Sequence, residues 1–300
     1  MSKITTVNLY KALIKSGQWQ KRSMLFKNSW DALLDVYPDL QTGGTLITKC
    51  GDWGIKRSEK YNEFGKRQYS YRIEDATSGG VFVPLEIKSI KNNTKRWFTT
   101  NLYQSLGKKV YPLPLGVLGD VDSFIETKDE VAKDAMCCAN FSMTCPYRVR
   151  VAEWATANSE KMDITCHFFE RYQGQKNDLR MPFMHALAMT DSGYKSNLAR
   201  HQFCICPKGN GLDTYRMWEC ILTNTVPIVQ DSWMVRVFAK IWPMIIISRY
   251  ENTNLPLLMD TFFEKYGAIN YDTDLLKEKY FENLLDRIRY ESDRFRRQGV

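Results

Sequence analysis

Histidine is nearly missing from this chain, with three scattered residues in 300. No Cys-x-x-Cys pair occurs among the eight cysteines; Cys137 and Cys138 are adjacent, and Cys204 and Cys206 are separated by one residue. That pattern supplies neither a zinc-ligand spacing nor a disulfide framework. Cysteines set in apolar stretches suit buried thiols in a reducing compartment. No apolar run approaches the ~20 residues of a membrane helix. The first residues, MSKITTVNLYKALIKSGQW, lack the apolar core of a secretory leader. Low-complexity tracts and short repeats are absent too. The expectation is a soluble, cytoplasmic chain, globular throughout. The G-x-G-x-x-G fingerprint and the P-loop pattern do not occur either, which excludes the two commonest phosphate loops.

What the chain has is charge and apolar content. Forty-two lysines and arginines face 34 acidic residues, a net charge of +8. That favours anionic partners such as a nucleotide diphosphate, a nucleic acid or an acidic glycan. Hydrophobic residues make up 44%, enough for one large core or two ordinary ones.

The most informative stretch is 203–229, FCICPKGNGLDTYRMWECILTNTVPIV. Phe203-Cys-Ile-Cys206 has the length of a buried strand. Pro207-Lys-Gly-Asn-Gly211 is turn-rich, with two glycines that allow backbone angles other residues resist. Asp213 or Thr214 suits a helix cap. Met217, Trp218, Ile221 and Leu222 fall on one helical face, and Val226-Pro-Ile-Val229 is a second strand. A glycine loop before a helix offers main-chain N–H groups and the positive end of a helix dipole to a phosphate. Lys208 and Arg216 add cationic charge there, and Glu219 follows Arg216 on roughly the same face.

Around this block, the patterning predicts helices over 5–17 and 22–36 and a strand over 45–48. Asp52 follows that strand in Cys50-Gly-Asp-Trp-Gly54, where open α/β sheets carry functional groups; a turn aspartate beside glycine is the plainer reading. Residues 55–68 read as a charged surface loop. Short strands over 69–73 and 81–83 flank Glu74 and Asp75. Segments 95–101 and 108–116 read as strands joined by a helical turn, and the polar run 119–134 as a linker. Strands over 139–143, 164–169 and 244–247 then alternate with helices from Pro146 to Trp154, over 194–200 and over 232–240. A long charged helix over 274–296 ends the chain. Such alternation predicts a parallel sheet covered on both faces.

The string Cys206-Pro-Lys-Gly-Asn-Gly-Leu-Asp-Thr-Tyr-Arg216, with Trp218-Glu219 and the Ile-Val after Pro227, resembles the C-terminal signature of exostosin-like glycosyltransferases, glycosyltransferase family 47 and its relatives. Trp97-Phe98-x-x-Asn101 with Leu113-Pro-Leu-Gly116, and Asn140-Phe-Ser with Thr144 and Arg148, are similar to further segments of that family. The resemblance covers most of 95–250. It implies an α/β, GT-B fold: two Rossmann-like domains facing across a cleft. The domains would be 1–128, binding the acceptor, and 129–271, binding the nucleotide sugar, with 272–300 a terminal helix returning to the first domain. Relatives usually carry a membrane anchor; this chain, starting at a methionine, resembles a soluble member from a bacterium or large virus, or a catalytic part.

The resemblance implies transfer of a sugar from a nucleotide sugar, by family habit a UDP-sugar with a leaning to UDP-xylose, onto a glycan. Arg216, Lys208 and the N–H groups of Gly209 to Gly211 would meet the diphosphate, and Glu219 the ribose hydroxyls. Asn210 and Asp213 would either contact the nucleotide or shape the turn, and Arg148 could reach the phosphates from a neighbouring strand end. The Glu-x7-Glu motif of retaining enzymes is absent, since Pro227 stands eight residues after Glu219, so an inverting mechanism is expected. Its base would be a carboxylate of the first domain: Asp52, then Glu74 or Asp75. No metal or other cofactor is expected. A nucleic-acid-modifying transferase and a non-catalytic partner subunit are the alternatives. Exostosin-type proteins can work as pairs, so a homodimer stays open.

Overall fold

The computed structural model describes residues 24–27, 44–48, 53–61, 67–75, 94–117, 120–170, 191–209, 211–277 and 280–298. Two parallel sheets dominate. The first has the order β1-β2-β5-β6, from β1 (Met24–Lys27), β2 (Gly44–Thr48), β5 (Thr94–Thr99) and β6 (Val110–Pro112). All three of its pairings are parallel. Between β2 and β5 lies an antiparallel ribbon of β3 (Trp53–Tyr61) and β4 (Arg67–Asp75).

The second sheet holds five strands: β7 (Ala135–Met143), β8 (Ile164–Glu170), β9 (His201–Cys206), β10 (Val226–Gln230) and β11 (Ile245–Ile247). Their order is β11-β10-β9-β7-β8, again all parallel. The helices are α1 (Val121–Glu130), α2 (Pro146–Ala157), α3 (Ser159–Met162), α4 (Asp191–Arg200), α5 (Tyr215–Leu222), α6 (Trp233–Phe238), α7 (Leu255–Tyr266) and α8 (Phe281–Arg297), with a 3-10 turn at Asp274–Leu276. The expected α/β class with parallel sheets is thus present.

The central strand β9 shows why its sequence is apolar throughout. Cys204 and Cys206 face one apolar layer, and Phe203 and Ile205 face the opposite one. A parallel strand buried on both faces needs a continuous apolar run, not alternation. The layer on the cysteine side also contains Ile47, Phe98, Tyr111 and Leu113. Apolar packing therefore runs without a break from the first sheet to the second.

Several local expectations are corrected. Residues 24–27 form a strand paired with β2, where a helix over 22–36 was expected; pairing along a sheet overrides an apolar stripe that suits either element. The charged run 55–68 falls largely on the β3–β4 ribbon, where a surface loop was expected, because the two segments pair in antiparallel register from Trp53↔Asp75 to Tyr61↔Arg67. The 119–134 linker contains α1, capped where the Asp120 carboxylate accepts the Asp122 N–H. The α7 helix was missed, although Asn254 caps it, proline lies in its first turn and Gly267 follows its last. Those are recognisable start and stop signals. Of the expected terminal helix, Asp274–Leu276 is a 3-10 turn and Phe281–Arg297 is α-helical, with residues 278 and 279 outside the described residues.

The α8 helix reaches the first sheet. Arg96 pairs with Asp286 at 3.3 Å, and Arg296 donates to the Val110 carbonyl and to Ser105 Oγ at 3.2 Å. Among the described residues, no helix is long and apolar enough to cross a membrane.

Candidate functional site

In the second sheet the strands run outward from β7 in one direction to β8 and in the other to β9, β10 and β11. The order reverses between β7 and β9. Loops leaving the carboxyl ends of those two strands diverge, and the crevice between them is where open α/β sheets bind ligands. Here the crevice is bordered by the turn into α2, carrying Tyr147 and Arg148, and by the 207–213 loop into α5.

The glycine loop is held from both sides. Arg148 donates through Nη1 to Ser142 O at 2.9 Å, through Nη2 to Pro207 O at 3.1 Å and through Nε to Lys208 O at 3.3 Å. From the first sheet, Asn101 Oδ1 accepts the Asp213 N–H at 2.8 Å. Both glycines are closely approached by neighbouring side chains. A Cβ on Gly209 would lie 2.9 Å from Arg148 Nη2, and one on Gly211 would lie 2.7 Å from Asn101 Oδ1. The N–H of Gly209 closes on the Gly211 carbonyl at 3.1 Å, so it is turned into the loop and not toward a phosphate. Asn210 lies outside the described residues.

Two expected ligand residues have other work. Asp213 is buried, with Oδ2 accepting the Leu115 N–H and Oδ1 the Trp218 indole N–H, both at 2.7 Å. Both oxygens accept a hydrogen bond inside the protein, so Asp213 clasps the two sheets together. Burial pushes its pKa up to about 7, against the pull of those bonds. Thr214 takes the cap, accepting the Met217 N–H. Arg148 likewise is built into the loop; burial lowers its pKa, and its main-chain bonds make it a brace for the loop, where a phosphate contact was expected.

The remaining pair behaves differently. Arg216 stands in the first turn of α5, and its Nη1 lies 3.2 Å from Glu219 Oε2. The ring of Tyr194, from α4, lies 4.3 Å from the guanidinium carbon, and the Tyr194 hydroxyl donates to Glu219 Oε2. Both side chains of the ion pair are largely buried, at 14% and 13% exposure. Even so, Arg216 Nε has no hydrogen-bond acceptor among the described residues. Buried donors are nearly always satisfied, so this group points to an acceptor supplied from outside. Tyr147 Oη, beside the same crevice, is buried without a hydrogen-bond partner among the described residues as well. Lys208 Nζ lies 5.1 Å over the Tyr147 ring, which keeps a second cation at the loop.

Sequence reasoning missed Tyr194 and the role of Asn101. Tyr194 carried no local signal, because its partners Arg216 and Glu219 lie more than 20 positions away. Asn101 did stand in the W-F-x-x-N motif.

No family model matches the chain, and no curated protein matches it. Solved structures similar to it include two glycosyltransferase structures. The "GtfA/B complex" aligns with a TM-score of 0.40 and 11% identity, over 85% of this chain and 55% of that one. The pneumococcal O-GlcNAc transferase GtfA, in complex with UDP and GlcNAc, aligns with a TM-score of 0.36 and 13% identity, over 90% and 53%. The chain spans about half the length of each. What the site can do is read from its own residues.

Of the expected base candidates, Glu74 and Asp75 end β4, opposite Gly54 and Trp53 of β3. Asp52, which precedes Trp53, lies outside the described residues.

Proposed function

We propose that this chain is a glycosyltransferase of GT-B architecture that binds a nucleotide-sugar donor at the crevice between β7 and β9. The observation that carries the reading is the buried Arg216 guanidinium, whose Nε has no acceptor among the described residues, stacked on Tyr194 at the mouth of a glycine loop. A diphosphate supplies the missing acceptors, and charge-assisted bonds to phosphate are the strong kind. The exostosin-like motifs support the same reading and suggest a UDP-sugar donor, with UDP-xylose the first to try.

In the proposed reaction an acceptor hydroxyl of a glycan attacks the anomeric carbon, and the bond from that carbon to the diphosphate breaks. Arg216 and Lys208 stabilise the negative charge that develops on the leaving group. Glu219, held by Tyr194 and Arg216, faces the ribose. The acceptor proton passes to a carboxylate at the end of the β3–β4 ribbon, for which Asp52, Glu74 and Asp75 are the candidates. The step inverts the anomeric centre and needs no metal at the reacting atoms.

The test is calorimetric titration with UDP-, GDP- and CMP-sugars, repeated on Arg216→Ala and Glu219→Ala. Binding of one nucleotide class that both substitutions abolish is the expected result. A folded protein that binds none of the donors would overturn the reading.

A further inference from the structure

The spacing of the cysteines gave no metal pattern, yet the fold gathers three of them. Cys204 and Cys206 project from the same face of β9, and Cys220 comes from α5 above them. Their sulfurs all lie within 4.8 Å of one another, and all three residues are buried. The Cys206 and Cys220 sulfurs are 3.6 Å apart. We propose that these three thiols form a binding site for a thiophilic d10 cation, Cu(I) or Zn(II).

Geometry is the first argument. An ion about 2.3 Å from each thiolate sits among sulfurs roughly 4 Å apart, which the cluster matches within small side-chain rotations. A disulfide needs a sulfur pair at about 2.05 Å and would use only two of the three. Chemistry is the second. Buried sulfur ligands select Cu(I) and Zn(II) over hard cations. The cluster supplies three sulfurs, a set that suits Cu(I) directly and suits Zn(II) with one further ligand.

Charge is the third. Three thiolates around such an ion leave net negative charge in an apolar layer, which needs a nearby cation. Lys133 is exposed as a residue, yet it lies within electrostatic reach of Cys220, Cys138 and Cys204. Its ammonium is anchored by Ala199 O at 2.9 Å and His201 O at 2.7 Å. Without metal the thiols find only weak acceptors: Cys206 Sγ reaches Cys204 O at 3.4 Å and Cys204 Sγ reaches Ile205 O at 3.7 Å. The ion would tie the end of β9 to α5 on both sides of the glycine loop.

The experiment uses the full chain, reduced and freed of metal with a chelator. It is titrated separately with Cu(I), Zn(II) and, as a spectroscopic probe for zinc, Cd(II). Native mass spectrometry counts the ions, ultraviolet absorption reads thiolate-to-metal charge transfer, and a thermal melt follows each addition. One ion per chain, a charge-transfer band and a raised melting midpoint are expected, because a ligand that binds only the folded state stabilises it. Cys206→Ser and Cys220→Ser should abolish the band, while Cys166→Ser, outside the cluster, should keep it. Absence of a bound ion in the folded wild type would overturn the proposal whether or not the serine variants fold. So would a band that Cys166→Ser removes equally, or a Cys206–Cys220 disulfide that re-forms in place of metal binding.

Discussion

Asn101 and Asp213 are joined across 112 positions by a hydrogen bond of 2.8 Å from the Asp213 N–H to Asn101 Oδ1. Asn101 takes a left-handed backbone with φ of 53°, a conformation asparagine tolerates better than most residues. The Asp213 carboxylate returns the contact by accepting the Leu115 N–H. The glycine loop of the second sheet is therefore fastened to the chain that leaves the first. Asn101→Ala and Asp213→Ala should each lower stability by about 1–3 kcal/mol, because each leaves buried donors unpaired. Asp213→Ala keeps the main-chain N–H that Asn101 accepts, so in denaturant unfolding the two losses should be nearly additive.

Asp213 also predicts a pH dependence. Its carboxyl is raised by burial from 3.8 to about 7, so the folded chain holds a proton that the unfolded chain releases. Stability should rise as pH falls from about 7 toward about 4, over the window between those two values. Asp213→Asn lacks this titration. The gap between wild-type and Asp213→Asn melting midpoints should move in favour of wild type on acidification; a constant gap would show that the carboxyl titrates normally.

The glycines should rank by what their Cβ would meet. Gly211→Ala pushes into the Asn101 amide, with three atoms at 2.7–2.9 Å, on a short side chain already engaged in the clasp. Gly209→Ala meets the tip of Arg148 at 2.9 Å, on a longer side chain with some freedom to shift. Overpacking of this kind typically costs about 1–3 kcal/mol. Gly211→Ala should fall at the upper end and Gly209→Ala below it, measured by thermal and denaturant unfolding.

Tyr194 separates two contributions to donor binding. Tyr194→Phe keeps the ring over Arg216 and removes the hydroxyl that Glu219 accepts. A single hydrogen bond of this kind is worth about 1 kcal/mol, so affinity for the bound nucleotide sugar should fall roughly fivefold. Tyr194→Ala loses the stacked ring too and should fall further. Equal affinities in wild type and both variants, by calorimetry, would detach Tyr194 from the site.

Much of the second sheet was legible from residue order. The strands β7 to β11 and the helices α2, α4, α5 and α6 follow from apolar runs broken by turn residues, because parallel strands buried on both faces leave an unmistakable pattern. The glycine loop and the Arg216–Glu219 pair were legible for the same reason: their partners are close in sequence. The tertiary structure alone decided the rest. It turned Asp213 and Arg148 inward as loop supports, since each satisfies its polar atoms on distant main chain. It brought Tyr194 over Arg216, and it converged Cys204, Cys206 and Cys220 without any ligand motif. Those outcomes depend on which strand lies beside which, and on a helix that returns over the sheet. Local periodicity carries no information about either, because such contacts are set by packing between segments far apart in the chain.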